Sequence, residues 1–163
     1  MGSNTIGPSD ANFVLYPLMT IHDVFNADHI KLRQLIQEVQ AALAHPEKLE
    51  EVFLKLQKET RAHFRKEDEV YYPHVDAGKK IADRDLMHTL RNDHAAVVFA
   101  LESLAIRLRK KVPVSEWKVK FETMINVLLP HFEHEEKVLF PEVERVLPPA
   151  ELKTLLDKVQ ALE

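Results

Sequence analysis

Two stretches of this 163-residue chain repeat one spacing of metal-binding side chains, His63-x-x-x-Glu67 and His131-x-x-x-Glu135. Residues four apart share a helix face, so each imidazole and its carboxylate can aim at a common point. An Asp-His pair lies upstream of each stretch, Asp28-His29 and Asp93-His94. Imidazole and carboxylate together suit iron, manganese and zinc, and the residue types alone do not choose among them. A single His-x-x-x-Glu is ordinarily a solvated pair worth about 0.3 kcal/mol. The repetition is what sets these residues apart.

The likeness extends beyond the ligands. Aligning His63–Pro73 with His131–Pro141 matches five of eleven positions: His, Phe, Glu, Val and Pro. His63 and His131 each precede their proline by ten residues, while His29 and His94 lie near the starts of the preceding helical patterns. In an antiparallel arrangement these four histidines fall at one height. Four imidazoles and two carboxylates in a dry interior are costly unless something compensates their polarity. A pair of metal ions bridged by Glu67 and Glu135 is the economical explanation.

The elements that must position them read clearly. From Thr20, an expected N-cap, apolar residues recur at helical spacing through Ile21, Val24, Phe25, Ile30, Leu32, Leu35, Ile36, Val39 and Leu43. A second helix is expected from the first-turn proline Pro46 to about Tyr72-Pro73, with a connection over 74–82 that holds Gly78. A third runs from about Asp83 to Lys110, and its basic end suits the helix dipole. A fourth runs from Pro113 and Ser115 to about Phe140-Pro141, with a bend expected at Pro130. Pro148-Pro149 starts a short terminal helix, Ala150–Leu162. Helices of about 25 residues are ~40 Å long. The expected fold is all-α, an up-down-up-down antiparallel four-helix bundle with a short C-terminal helix. Residues 1–19 would be an N-terminal tail, 20–147 the bundle, and 148–163 the C-terminal helix packed on it.

Composition agrees with this reading and excludes several others. Three glycines among 163 residues fit long helices with few tight turns. Nine histidines stand against no cysteine, which excludes disulfides, thiolate zinc sites, cysteine-ligated clusters and cysteine nucleophiles. A net charge of −4 gives no basic footprint, so neither nucleic acid nor a membrane surface is an expected partner. The first residues lack a basic stretch followed by an apolar run, and no apolar run is long enough to span a bilayer. The expected compartment is the cytoplasm. Met1-Gly2-Ser3 reads as an expression scar.

Taken together, the four-part pattern resembles that of hemerythrin-like, or HHE cation-binding, domains over about residues 20–145. The matching residues are His29, His63, Glu67, His94, His131 and Glu135. The resemblance implies a non-haem di-iron centre with both glutamates bridging. It also implies partners among small ligands, namely oxygen, nitric oxide or peroxide, or iron itself as cargo. Two departures stand out. Oxygen-carrying hemerythrins place a further histidine where this chain has Val98, and an aspartate where it has Glu136. A four-histidine site leaves more of the metal open, which favours sensing, peroxide or nitric oxide chemistry, or iron handling over simple oxygen carriage. A peroxide- or nitric-oxide-consuming oxidoreductase and a structural zinc bundle are the alternatives.

Other polar residues invite plainer expectations. His134 is read as a surface residue beside the site, because its counterpart in the repeat is Lys66. Asp28 and Asp93 could orient a ligand from behind, but exposed helix charges are the simpler expectation. His22, Tyr71, His74 and His88 lie toward one bundle end, where a polar access path or secondary cation site could form. His45 is expected at a helix C-terminus, facing the dipole. Phe25, Phe64, Val97, Val98, Leu101, Phe132 and Val138 are expected in the core, and Trp117 in packing.

Overall fold

The computed structural model describes residues 19–77 and 84–162. Among them all regular structure is helical. Helix α1 is Ile21–Ala42. Helix α2 begins at Pro46–Lys66, widens into a π turn at Glu67–Tyr71 and finishes as Tyr72–Ala77. Helix α3 is Arg84–Arg109. Helix α4 repeats the plan of α2, with Val114–His134, a π turn at Glu135–Leu139 and an α-helical end at Phe140–Val146. Helix α5 is Pro149–Gln160. Of the expected tail only Met19 is described; of the expected connection over 74–82, residues 74–77 are described and helical, and Gly78 lies outside the described residues.

Local chemistry explains the boundaries. Thr20 caps α1 as expected: its hydroxyl accepts from the Asp23 backbone, and Asp23 Oδ2 accepts from Thr20 N at 2.7 Å. Pro46 opens α2 at the first position, where its missing N–H costs nothing. His45 therefore sits at the start of α2 rather than closing α1.

The expected stop at Pro73 does not occur. A proline ring clashes with the carbonyl four residues back. The wider π turn just before Pro73 accommodates that clash, and the helix continues to Ala77. Pro141 follows the second π turn in the same way. Helix α4 also runs unbroken through Pro130, and its departure from α geometry comes at Glu135 instead. The internal repeat is thus a repeat of backbone as well as sequence.

Helices α1 and α2 pack as one pair, α3 and α4 as another, and α2 joins the pairs against α3. Helix α5 packs on α1 and on the π turn of α2. Two apolar clusters form the interior. One gathers residues such as Phe53, Leu101, Trp117 and Phe121; the other gathers Phe25, Tyr71, Leu90, Phe140 and Leu155. Along each of α1 to α4 the ligand-type residues lie between stretches belonging to different clusters. Trp117 is fully buried and donates its indole N–H to Leu104 O at 3.1 Å. Two expected core residues face outward: Ile30 is 57% exposed and Val138 is 46% exposed. Ile30 follows His29 and so points about 100° away from it. Across the π turn it is Leu139, four residues after Glu135, that turns inward in place of Val138.

Candidate metal centre

All six residues singled out by spacing meet in the layer between the clusters, each at most 3% exposed. Helix α1 supplies His29, α2 supplies His63 and Glu67, α3 supplies His94, and α4 supplies His131 and Glu135. His29 Nε2 lies 3.1 Å from His63 Nε2, and His94 Nε2 lies 3.1 Å from His131 Nε2. The carboxylates join these two imidazole pairs. Glu67 Oε2 is 3.3 Å from the Nε2 of both His63 and His94. Glu135 Oε2 is 3.2 Å from His29 Nε2 and 3.4 Å from His131 Nε2.

These distances do not amount to a satisfied hydrogen-bond network. Among the described residues, both oxygens of Glu67, Oε2 of Glu135 and Nδ1 of His131 are buried without a hydrogen-bond partner. Such atoms carry the full cost of leaving water. Cations shared by an imidazole pair and a carboxylate would supply the missing partners, so the donor set fits a metal. Ligand atoms within 4.8 Å of one another form two overlapping groups: His29, His63, Glu67 and Glu135, and Glu67, His94 and His131.

The repeated halves also share their ring packing. His29 stacks on Phe132 at 4.2 Å and His94 on Phe64 at 3.7 Å, so each imidazole is held by the phenylalanine that follows a histidine of another helix. Behind each histidine stands a carboxylate at its Nδ1. Glu136 is 2.8 Å from His29, Asp28 is 3.3 Å from His63, Asp68 is 2.9 Å from His94, and Asp93 is 3.5 Å from His131. Every one of these acids is the chain neighbour of a ligand-type residue on its own helix. Asp28 and Asp93 are therefore not simple exposed charges; each points away from its own histidine and toward its partner helix's. The doubled acids Glu67-Asp68 and Glu135-Glu136 carried the same signal in the sequence.

The electrostatics follow from this burial. Burial, and then the charge of Glu135, pushes the Glu67 carboxyl well above the usual carboxylate range. Burial acts against Glu135 as well, but His131 and His29 outweigh it and hold this carboxyl well below that range. Burial lowers His63 to about 4, against the opposing pull of Asp28. Sequence spacing did not reveal Tyr72, which donates from its hydroxyl to Glu135 Oε1 at 2.5 Å and stands 3.4 Å from His94 Nε2.

The remaining polar residues scatter. His22 bridges the Tyr71 hydroxyl and Glu144 Oε1, each at 2.7 Å. His74 instead faces Glu151 of α5 at 3.3 Å, and His88 is exposed beside Asn92. The four residues expected at one bundle end do not gather into a site. His134 is exposed, as expected.

The hemerythrin HHE cation binding domain family matches residues 20–143. The chain belongs to that family. Among solved structures, this HHE domain is similar to a hemerythrin HHE cation binding domain-containing protein of Mycobacterium kansasii. That likeness has a TM-score of 0.71 at 25% identity, covering 88% of this chain and 85% of the other. A Mycobacterium tuberculosis protein described as uncharacterised is 33% identical over 147 residues, 88% of this HHE chain and 84% of its own length. A protein of Nostoc named a DNA nickase is 25% identical over 129 residues; the match covers 79% of this chain but only 35% of the nickase. No described helix is long and apolar enough to cross a membrane.

Proposed function

We propose that this HHE domain holds two non-haem iron ions and binds or senses a small ligand, either oxygen, nitric oxide, peroxide or further iron. Its frame is read as an up-down-up-down four-helix bundle over residues 20–147 with the C-terminal helix packed on it, acting in the cytoplasm. His29, His63, Glu67, His94, His131 and Glu135 are the ligands. The observation that carries this reading is the pair of imidazole–imidazole contacts at 3.1 Å, joined by two carboxylates of which both Glu67 oxygens and Glu135 Oε2 are buried without a hydrogen-bond partner among the described residues. Manganese or zinc would meet the same donors.

Bound iron supplies an open coordination position and the redox chemistry. The chain supplies the rest. Glu136, Asp28 and Asp68 hold the rings of His29, His63 and His94 through their Nδ1 atoms, and Asp93 stands 3.5 Å behind His131. Stacked Phe64 and Phe132 exclude water from the histidine faces. Tyr72 holds a proton at its hydroxyl, directed at Glu135 Oε1. Burial holds that proton tightly, well above the usual tyrosine range, so the hydroxyl supports the second reading, an oxidoreductase consuming peroxide or nitric oxide, only as a hydrogen-bond donor inside the layer. The nickase activity named for the Nostoc protein belongs to a chain of which this one spans 35%, and it forms no part of the proposal.

Elemental analysis of purified protein, with absorption spectra of the anaerobic iron-loaded form before and after oxygen, tests the reading. Two irons per chain and an oxygen-dependent ligand-to-metal band are expected. Turnover of peroxide or nitric oxide would move the assignment to the oxidoreductase. Absence of any bound metal, with Glu67→Ala and Glu135→Ala leaving stability intact, would sink both.

A further inference from the structure

The internal repeat supplies its own control for the outer surface of the molecule. The α1–α2 and α3–α4 pairs correspond residue by residue, with His29 aligned to His94 and His63 to His131. On the outside of the first pair, Lys31 reaches across to Glu59 at 2.6 Å and bridges the two helices. The equivalent residues of the second pair are Ala96 and Val127, which cannot make that bridge. Between them lies a groove of about 400 Å³, whose walls also include Phe99, Ala100, Ser103 and Thr123. The contrast continues along the helices. Gln34, Glu38 and Glu51 of the first pair give way to Phe99, Ser103 and Val119 in the second. Phe99 is 77% exposed, the most exposed large apolar side chain among the described residues, and Val119 is also exposed. The first pair exposes Ile30 and Leu54 singly: Ile30 stands at the histidine level and Leu54 more than two turns from it. The fold itself therefore does not require an apolar face here. A groove beside a projecting aromatic ring marks a surface that another molecule covers.

We infer that a second copy of this chain covers the α3–α4 face, about a two-fold axis near Ser103. Such an interface needs knob and hole on one surface, because both copies present the same patch. Phe99 projects beside the groove, and a second hollow of about 400 Å³ on its other side reaches Ile106 and Val112. Phe99, Ser103 and Arg107 line both hollows, so Ser103 lies midway between knob and hole. Antiparallel packing of α3 on α3 about Ser103 sets Phe99 of each copy on Arg107 of the other, where ring and guanidinium attract. It also sets the small Ala100 against the bulkier Ile106, so the two surfaces interlock.

Charge and size agree with this occupant. The acids around the face are already paired, Glu116 with Arg107, Glu122 with Lys118, and Glu102 with Arg61. A rim of mixed sign lets a copy meet its like without net repulsion, whereas a strongly charged partner finds no matching field. The stretch from Asn92 to Lys110 is roughly 27 Å long at about 1.5 Å per residue, and two helices side by side are about 20 Å wide. Such a face buries roughly 1,100 Å² over both copies, enough for a specific though weak interface.

Sedimentation velocity of the full chain from about 1 to about 500 μM tests the pairing, since an interface of this size dissociates in the micromolar range. A reversible equilibrium between monomer and dimer is expected. Phe99→Asp should weaken it about tenfold or more, with circular dichroism showing unchanged helical content. Gln34→Asp, at the equivalent polar position of the first pair, should leave it unaltered. Ala96→Lys together with Val127→Glu writes the Lys31–Glu59 bridge into the second pair, and it should give a folded monomer. Because the chain has no cysteine, Ser103→Cys supplies a single reactive site. A short bifunctional maleimide should join two copies through it and should not join copies of Gln34→Cys. A chain that stays monomeric throughout assigns the face to a different partner or to another segment of this chain, and the inference falls. A dimer that survives both Phe99→Asp and the double substitution uses another face and overturns it equally.

Discussion

Tyr72 donates its hydroxyl hydrogen bond to Glu135 Oε1 across 2.5 Å, from the far side of the α2 π turn. The bond satisfies an oxygen of a carboxyl group that is completely buried. Tyr72→Phe keeps the ring against His94 and removes only that donor. The metal-free variant should therefore lose about 1–3 kcal/mol, the cost of leaving a buried polar group unpaired. Urea unfolding of the two metal-free proteins measures the difference, and equal midpoints would refute the role given to this bond.

Glu136 faces His29 Nδ1 and is itself held by Arg33. Glu136→Ala releases the ring and leaves the direct ligands in place. Metal affinity should fall about 10–100-fold with helical content unchanged. Competition against a chelator of known affinity reads the change directly.

Acid should weaken the metal-free fold well before ordinary carboxylates titrate. In the unfolded chain His63 returns to the ordinary histidine value of 6.5, while burial lowers it to about 4 in the folded chain. Between those values the unfolded state binds the extra proton, so stability is full above about 6.5 and is lost as pH falls toward 4. Burial also lowers His22, which adds in the same direction. Denaturant midpoints at neutral and mildly acidic pH should show the fall, and His63→Gln should flatten it.

Trp117 lies in the apolar cluster away from the histidine layer, stacked on Phe121 at 5.1 Å. Trp117→Ala should cost about 3–5 kcal/mol through the cavity it leaves. It should not change how many metal ions a folded molecule carries. Thermal unfolding together with metal counting separates the two effects.

The centre was more legible in the sequence than its surroundings. The repeated His-x-x-x-Glu spacing located His63, Glu67, His131 and Glu135, because helix periodicity fixes which side chains share a face, and the paired Asp-His steps at a matching height added His29 and His94. Thr20 and Pro46 marked helix starts through chemistry that is entirely local. The roles of Asp28 and Asp93 were hidden for the converse reason. Periodicity places a side chain around its own helix axis and says nothing of which neighbouring helix stands beside it. Pro73 and Pro141 misled differently: a proline signals conflict with the α ladder, and the chain resolved that conflict by widening a turn instead of ending the helix. Val138 was misassigned by the same widening. Tyr72 escaped notice because its counterpart in the repeat is Phe140, so no repeated polar signal marked it.

The histidine layer separates two apolar clusters, one built around Trp117 and the other around Phe140 and Leu155. Two dry blocks divided by a layer of unsatisfied polar atoms gain little cohesion from that layer itself. In the proposed two-metal form, ions gathering ligands from all four long helices would rivet the blocks together. Loading with metal should therefore raise and sharpen the melting transition, which would make the centre a keystone of folding.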